Sequence, residues 1–413
     1  HGIKPVAQRT IMLRHGLRFV PAALAAAAAA AAGGAWLLGC GSLFGPLSSL
    51  LLPTLVGLTQ VALRRFGIAL AYYAVGCWPI VGAVMGFWGV HLRGMAIAAW
   101  VGAAVLLALP WALPQRRGGL LAAMLLTALP PLGVIGWLSP MNAAGVLFPG
   151  MGGIGILLLC ALVTAWPGAA VGHRPARHVV SLTLGMAAVA NVLHTSLGAP
   201  EPPSGWVGVQ TRIRPGHGNI LKDIQNNQAV ITEGLRQSAG ARVVIFPEAI
   251  LPDWYDGTRA QFAAVVPPGQ IWILGVQTAT HDAVVRVHHG VADPAPVARA
   301  AGLLLGGDWQ PWNPYTLRPA WWQRTFDLEG QRVWAAICVE QVQPWTWLQA
   351  MWQRPTVILA QSNAWWAAPG NAAPAIQAAS VRAWARLMGV PVVTAVNRHF
   401  CRSGQQCHRV RAF

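Results

Sequence analysis

Apolar positions along this chain follow two regimes that change near residue 200. Before that point, apolar runs of about the 20 residues a helix needs to cross a hydrocarbon core recur near 19–39, 43–63, 67–90, 94–114, 118–138, 145–166 and 178–197. They predict about seven transmembrane helices over 1–200. Their interiors are rich in Gly, Ala and Pro, which membrane helices tolerate, and small residues let backbones approach closely, so a compact all-α bundle is expected. From Glu201 onward the apolar runs shorten to strand length: Val207–Gln210, Arg242–Phe246, Ile271–Val276, Val333–Cys338, Thr356–Leu359 and Val392–Val396. Helical patterns lie between them, notably Ile220–Ser238, with Asn219 as a cap, and Ala373–Met388. Strands alternating with helices predict a layered α/β domain over 201–398.

Charge sharpens the boundary. The chain has 413 residues, 55% hydrophobic and only 10% charged, where soluble domains carry roughly a quarter charged residues. All 12 acidic residues lie at or after Glu201. The formal charge of +17 would point to nucleic acid in a soluble chain. Here ten basic residues of the first half (Lys4, Arg9, Arg14, Arg18, Arg64, Arg65, Arg116, Arg117, Arg174, Arg177) sit between apolar runs. There they fix topology and meet anionic head groups, and no direct nucleic-acid binding is expected. The basic loops alternate with poorly charged ones carrying only Arg93, so seven crossings from an inside start place residue 200 onward outside the cytosol. If the basic, Ala-rich first segment is instead a cleaved signal peptide, six crossings from outside end on the same side. The expected location is a bacterial inner membrane, multi-pass, with the C-terminal domain periplasmic. The absence of any acid before Glu201 disfavours a transport pathway, since intramembrane carboxylates often mark ion routes.

Two strand ends carry chemistry. RVVIFPEAI (242–250) places Glu248 just past a buried strand, and RVWAAICVEQ (332–341) does the same for Cys338, followed by Glu340. Ligands of α/β sheets bind beyond the carboxyl ends of strands, so a nucleophile and a base arrive at one crevice. The blander alternatives are a core cysteine and a solvated turn carboxylate. Cys40, Cys77 and Cys160 lie in or beside apolar runs as packing residues, and Cys401 with Cys407 is read as incidental spacing. His281, His288 and His289 lack any metal-type pattern. Gly302, Gly306 and Gly307 lack the Lys and Ser/Thr of a phosphate loop. No metal or cofactor is expected. The tryptophans concentrated at 309–366 either rest the domain at a membrane interface or pack within it.

These residues resemble the nitrilase (carbon–nitrogen hydrolase) superfamily, in the branch that fuses a membrane bundle to the hydrolase fold, with apolipoprotein N-acyltransferases and TraB-type conjugal transfer proteins. The resemblance rests on VGVQ (207–210), FPEAI (246–250), LLLGGDW (303–309), ICVEQ (337–341), QSNAWWA (361–367) and RAWARLMGVPVVTAVNR (382–398), in order. FPEAI, ICVEQ, the short insert between them and GDWQPW (307–312) favour the TraB-type branch. The resemblance implies an αββα fold, Cys338 as nucleophile forming a thioester, Glu248 as base, and Asp308 and Glu340 in the substrate site. It also implies a membrane lipid as acyl donor and conjugation or envelope proteins as partners. The family's lysine, which stabilises the oxyanion, is missing: Lys4 and Lys222 both fall outside the Glu248–Cys338 interval, and the lysine position falls at about Ala300, beside Arg299. Either Arg299 or another cation serves a modified acyl transfer, or the domain binds without turnover. An arginine can hold an oxyanion but does not readily give up and recover a proton. Residues 399–413 form a basic tail without the final membrane helix of the lipoprotein acyltransferases, so the fold's closing elements are expected to be truncated or replaced.

Overall fold

A computed structural model describes residues 22–38, 42–113, 118–216 and 219–399. The start of the first predicted span, the 115–117 loop, and the tail with Cys401 and Cys407 lie outside the described residues. The chain forms two compact units. One takes residues up to Met85, Gly89–Ala199 and Ala378–Gly389, and the other Gly86–Trp88, Pro200–Gln377 and residues from Val390 on.

The first unit is helical. Among the described residues, three helices are long and apolar enough to cross a membrane: Val90–Ala112, Gly152–Ala170 and Arg174–Leu197. A fourth candidate is a pair, Ala62–Gly76 and Pro79–Trp88, bent by 45°. Ala22–Gly34, Phe44–Gly57 and Gly119–Ala128 are apolar but shorter. Among the described residues these make seven apolar segments, and most are more broken than their hydropathy implies. Proline is the reason at several breaks, because it lacks the N–H of the helical ladder and disfavours helix in the residue before it. Pro79 opens the second arm of the bent pair, and Pro130 and Pro131 follow the helix ending at Ala128. Small residues make the close approaches: a Cβ on Gly33 would meet the Tyr72 carbonyl at 2.1 Å, and one on Gly145 the Ala383 carbonyl at 1.7 Å. Buried polar groups find backbone partners, as apolar surroundings require. Arg65 donates to the carbonyls of Gln60 (2.7 Å) and Ala112 (2.8 Å), and Tyr72 to that of Leu138 (2.9 Å).

The second unit holds two sheets. One has the order β1 (Trp206–Gly208), β3 (Val243–Ile245), β4 (Ile271–Gln277), β5 (Asp282–His288), β6 (Val291–Ala292), with β7 (Ala298–Arg299) also on β5. The other runs β2 (Gln210–Thr211), β11 (Val392–Arg398), β10 (Val357–Ala364), β9 (Gln331–Ile337), β8 (Phe326–Leu328). Pairing is parallel from β1 through β4 and from β2 through β9, and antiparallel at β4–β5 and β8–β9. Strand side chains alternate between faces, and the apolar clusters follow that period. Val243, Ile245 and Ile273 join Val333, Ala335, Ile337, Leu359 and Ala395 in a core shared by both sheets. Val244, Phe246, Trp272 and Leu274 face the opposite way, onto Val230 and Ile231 of helix Ile220–Gln237 and Phe262 of helix Asp256–Val265. The Asn219 cap forms as expected, its Oδ1 accepting from the Lys222 N–H at 3.1 Å. The layering is a mixed α/β one with two sheets face to face, and it brings the carboxyl ends of β3, β9, β10 and β11 to one side.

Candidate functional site

Glu248 follows β3 after Phe246 and Pro247, and the next residue, Ala249, turns the chain at φ 41°. Gly275 on neighbouring β4 makes room for that turn, since a Cβ there would lie 2.2 Å from the Pro247 carbonyl and 2.6 Å from the Glu248 Cα. The Glu248 side chain is buried, 7% exposed, and lies against both Cys338 and Asp282. Its Oε2 accepts the Asn363 N–H at 2.9 Å. Burial and then the neighbouring Asp282 charge push this carboxyl well above the ordinary range, with Asp308 adding to the effect.

Cys338 ends β9 and opens a short 3-10 turn, Cys338–Val342, at φ 44°. Left-handed backbone at a non-glycine residue costs roughly 1–2 kcal/mol. Gln377 Nε2 holds the Cys338 carbonyl at 3.3 Å. The thiol is pushed well above its ordinary value, first by burial and then by the Glu248 and Asp308 carboxylates. At neutral pH it is a thiol, not a thiolate.

The other sequence-predicted residues divide. Asp308, half-buried in the Leu305–Trp309 turn, exerts its charge on Glu248, Asp282 and Cys338, and burial raises its own carboxyl to about 6. Glu340, fully buried, accepts the backbone N–H groups of Ala301, Gly302 (3.2 Å) and Ile337 (3.0 Å). It therefore pins the 300–302 segment to the nucleophile turn, and burial raises it to about 8. Arg299 is exposed on β7, where its charge acts on His281 together with that of Arg318. Ala300, at the expected lysine position, is buried and donates its N–H to the Asp282 carbonyl at 2.9 Å. Lys222 is exposed on helix Ile220–Gln237.

Sequence reasoning missed Asp282, 3% exposed, whose carboxyl is raised to about 8 by burial and then by Asp308. Its meaning comes from strand pairing. β5 runs antiparallel to β4, pairing Asp282 with Gln277, so its first residue lands where the parallel strands end. It also missed a buried amide network. Gln361 Nε2 donates to the Phe246 carbonyl (2.7 Å), Gln341 Nε2 to the Ala336 and Gln361 carbonyls (both 3.0 Å), and Asn397 Nδ2 to Asn363 Oδ1 (2.7 Å). These amides fix the ends of β3, β9, β10 and β11 against one another. Among the described residues, no group of three or more His, Cys, Asp and Glu is arranged to hold a metal ion. The arrangement offers a thiol on a strained turn, a carboxyl beside it, and two further carboxyls around them.

No protein-family model matches the chain. It is similar to the conjugal transfer protein TraB of Agrobacterium fabrum, 33% identical over 320 residues that span 70% of this chain and 68% of that relative. It is also similar to the probable conjugal transfer protein TraB of Sinorhizobium fredii, 29% identical over 301 residues, 67% of this chain and 72% of that one.

Proposed function

The chain belongs to the family of conjugal transfer protein TraB, and from that premise we propose that it serves plasmid conjugal transfer as a membrane-embedded acyltransferase of the carbon–nitrogen hydrolase type. The observation that carries the chemistry is the direct electrostatic contact between the Cys338 thiol and the Glu248 carboxyl, delivered by the carboxyl ends of two strands in facing sheets. Backbone strain persists where the surrounding structure over-determines it, and such sites are often functional. Cys338 at φ 44° is held in this way by Gln377 and by the turn that Glu340 pins.

In the proposed reaction, the Glu248 carboxylate takes the thiol proton as sulfur bonds to the carbonyl carbon of an ester or amide. Collapse of the tetrahedral intermediate breaks the bond to the leaving alcohol or amine, which recovers that proton from Glu248. A second nucleophile then gives its proton to Glu248 and opens the thioester, and the departing thiolate takes the proton back. Asp308 and Asp282 flank the reacting groups. The acyl donor in this reading is a membrane lipid, reached because the helical unit sits in the bacterial inner membrane with the α/β domain on its outer face. Envelope proteins of conjugation are the partners.

The test is intact mass of the purified protein after incubation with vesicles of bacterial phospholipids, beside Cys338→Ala. A gain of one acyl chain that requires Cys338 supports the reading. No adduct on a thiol shown by labelling to be accessible overturns the lipid donor.

A second reading is favoured by one observation: the charges acting most strongly on Cys338 are all carboxylates. They hold the thiol protonated and offer nothing to an oxyanion, as in an accessory protein that binds its ligand without turnover. That reading expects Cys338→Ala to be silent in a mating assay, whereas acyl transfer expects loss of transfer.

A further inference from the structure

Two buried oxygens near the strand ends receive no hydrogen bond from the protein. Asp282 is 3% exposed, and its Oδ1 receives no hydrogen bond from the protein. Gln361, fully buried and not part of the carboxyl group, reaches from β10 to the carbonyl of Phe246, two residues before Glu248. In the β10–β9 ladder it pairs with Ile337, the residue before Cys338. Its Oε1 likewise receives no hydrogen bond from the protein. The Gln361 oxygen is an acceptor, as Asp282 is when ionised, and beside Asp282 stand the carboxyls of Glu248 and Asp308. A buried acceptor without a donor is costly, and more so when it is ionised. The complement is a group with several N–H donors, no acceptor and a positive charge.

A primary ammonium is that group, with three donors on a compact cation. It also matches what is missing from the chain, because the buried residue at the expected lysine position, Ala300, has its backbone on the Asp282 carbonyl and its side chain in the core that Cys338 packs against. We propose that the site takes a ligand bearing a primary ammonium, seated on Asp282, Gln361 Oε1 and the neighbouring carboxyls, which supplies in trans the cation this chain lacks. The inference rests on the acyl-transfer reading for its consequence: a cation there favours the Glu248 carboxylate, the form that can accept the Cys338 proton. Binding itself does not require the thiol to react.

The experiment uses the full chain purified in detergent, at fixed ionic strength. Binding of n-butylammonium is measured by calorimetry and by the shift in thermal unfolding, beside n-butanol as neutral isostere and tetramethylammonium as a cation without N–H. Saturable binding of n-butylammonium alone is expected, retained in Cys338→Ala and weakened at least about tenfold in Asp282→Asn, the loss of one charge-assisted contact. Ala300→Lys provides a second line, since a tethered ammonium occupies the same acceptors: it is expected to raise the unfolding temperature and abolish the n-butylammonium effect. Equal binding of n-butanol or tetramethylammonium, no binding at all, or undiminished binding in either Asp282→Asn or Ala300→Lys overturns the proposal. A failed acyl-enzyme assay with intact ammonium binding removes the acyl-transfer reading and leaves this one standing.

Discussion

A single buried carboxyl can set the pH behaviour of this domain, and Asp282 is placed to do so. Burial and the Asp308 charge hold it protonated up to about pH 8 in the fold, whereas in the unfolded chain it ionises near 3.9. Between roughly pH 4 and 8 the folded state therefore keeps a proton that the unfolded state releases, so this group's contribution to stability falls as pH rises. Thermal unfolding measured from pH 5 to 8 is expected to show a falling midpoint, and Asp282→Asn to flatten that slope. A slope unchanged by the substitution would refute the assignment. Cys338 gives the reactive counterpart. With burial and Glu248 raising its pKa, alkylation by iodoacetamide at pH 8 is expected to be slower at Cys338 than at a free thiol of ordinary pKa. Glu248→Gln, which removes one opposing charge, is expected to move the rate profile to lower pH. Peptide mapping of the alkylated sites checks both, and ordinary reactivity in the unsubstituted chain would count against the electrostatic account. Glu340 acts through backbone instead: Glu340→Ala strands three N–H groups at Ala301, Gly302 and Ile337. At 1–3 kcal/mol for each buried group left unsatisfied, a loss of about 3 kcal/mol or more is expected in denaturant unfolding.

Between elements, the site depends on a glycine. Gly275 lets β4 pass beneath the Pro247–Glu248 turn, and a methyl there meets backbone, which cannot swing aside as a side chain can. Gly275→Ala is expected to lower stability by roughly 1–3 kcal/mol, the usual range for overpacking, and to uncouple Glu248 from Cys338. Its thiol titration would then resemble that of Glu248→Gln, and a titration like that of the unsubstituted chain would show that the turn tolerates the methyl. How far this was legible in sequence follows from what each element depends on. β3, β4, β9 and β10 were readable because strands buried on both faces write continuous apolar runs, β11 by its own apolar run, and the helix over Ile220–Gln237 announced itself by its cap. β5 was not, although DAVVRVH is strand-like, because a hairpin edge has no motif at its end to draw notice. With it went Asp282, whose meaning comes only from pairing with Gln277. The positions of Glu248 and Cys338 at strand ends were legible locally. The exposure of Arg299 and the backbone-pinning position of Glu340 were not, because both depend on which residues the other elements bring near them. In the helical unit, hydropathy counted apolar residues correctly but could not weigh prolines against length, hence the bent pair at Pro79.

For the whole molecule, the distribution of charge argues for a side of the membrane. Acids are confined to residue 201 onward, while arginines recur between the apolar segments of the first half. In the proposed reading, that asymmetry orients a bundle with its basic loops in the cytosol and the α/β domain outward. Each short or bent segment that re-enters without crossing reverses the parity, so labelling reads the side directly. Trp312, 73% exposed in the aromatic segment after Asp308, accepts a reporter without disturbing the core. A Trp312→Cys variant, compared with the unsubstituted chain, is expected to be labelled in intact cells by a small maleimide that passes the outer but not the inner membrane. Labelling only after lysis would place the domain in the cytosol. It would then remove outer-leaflet lipid as the acyl donor while leaving the Glu248–Cys338 pair and its ammonium-binding acceptors unaffected, because those depend on strand ends and not on topology.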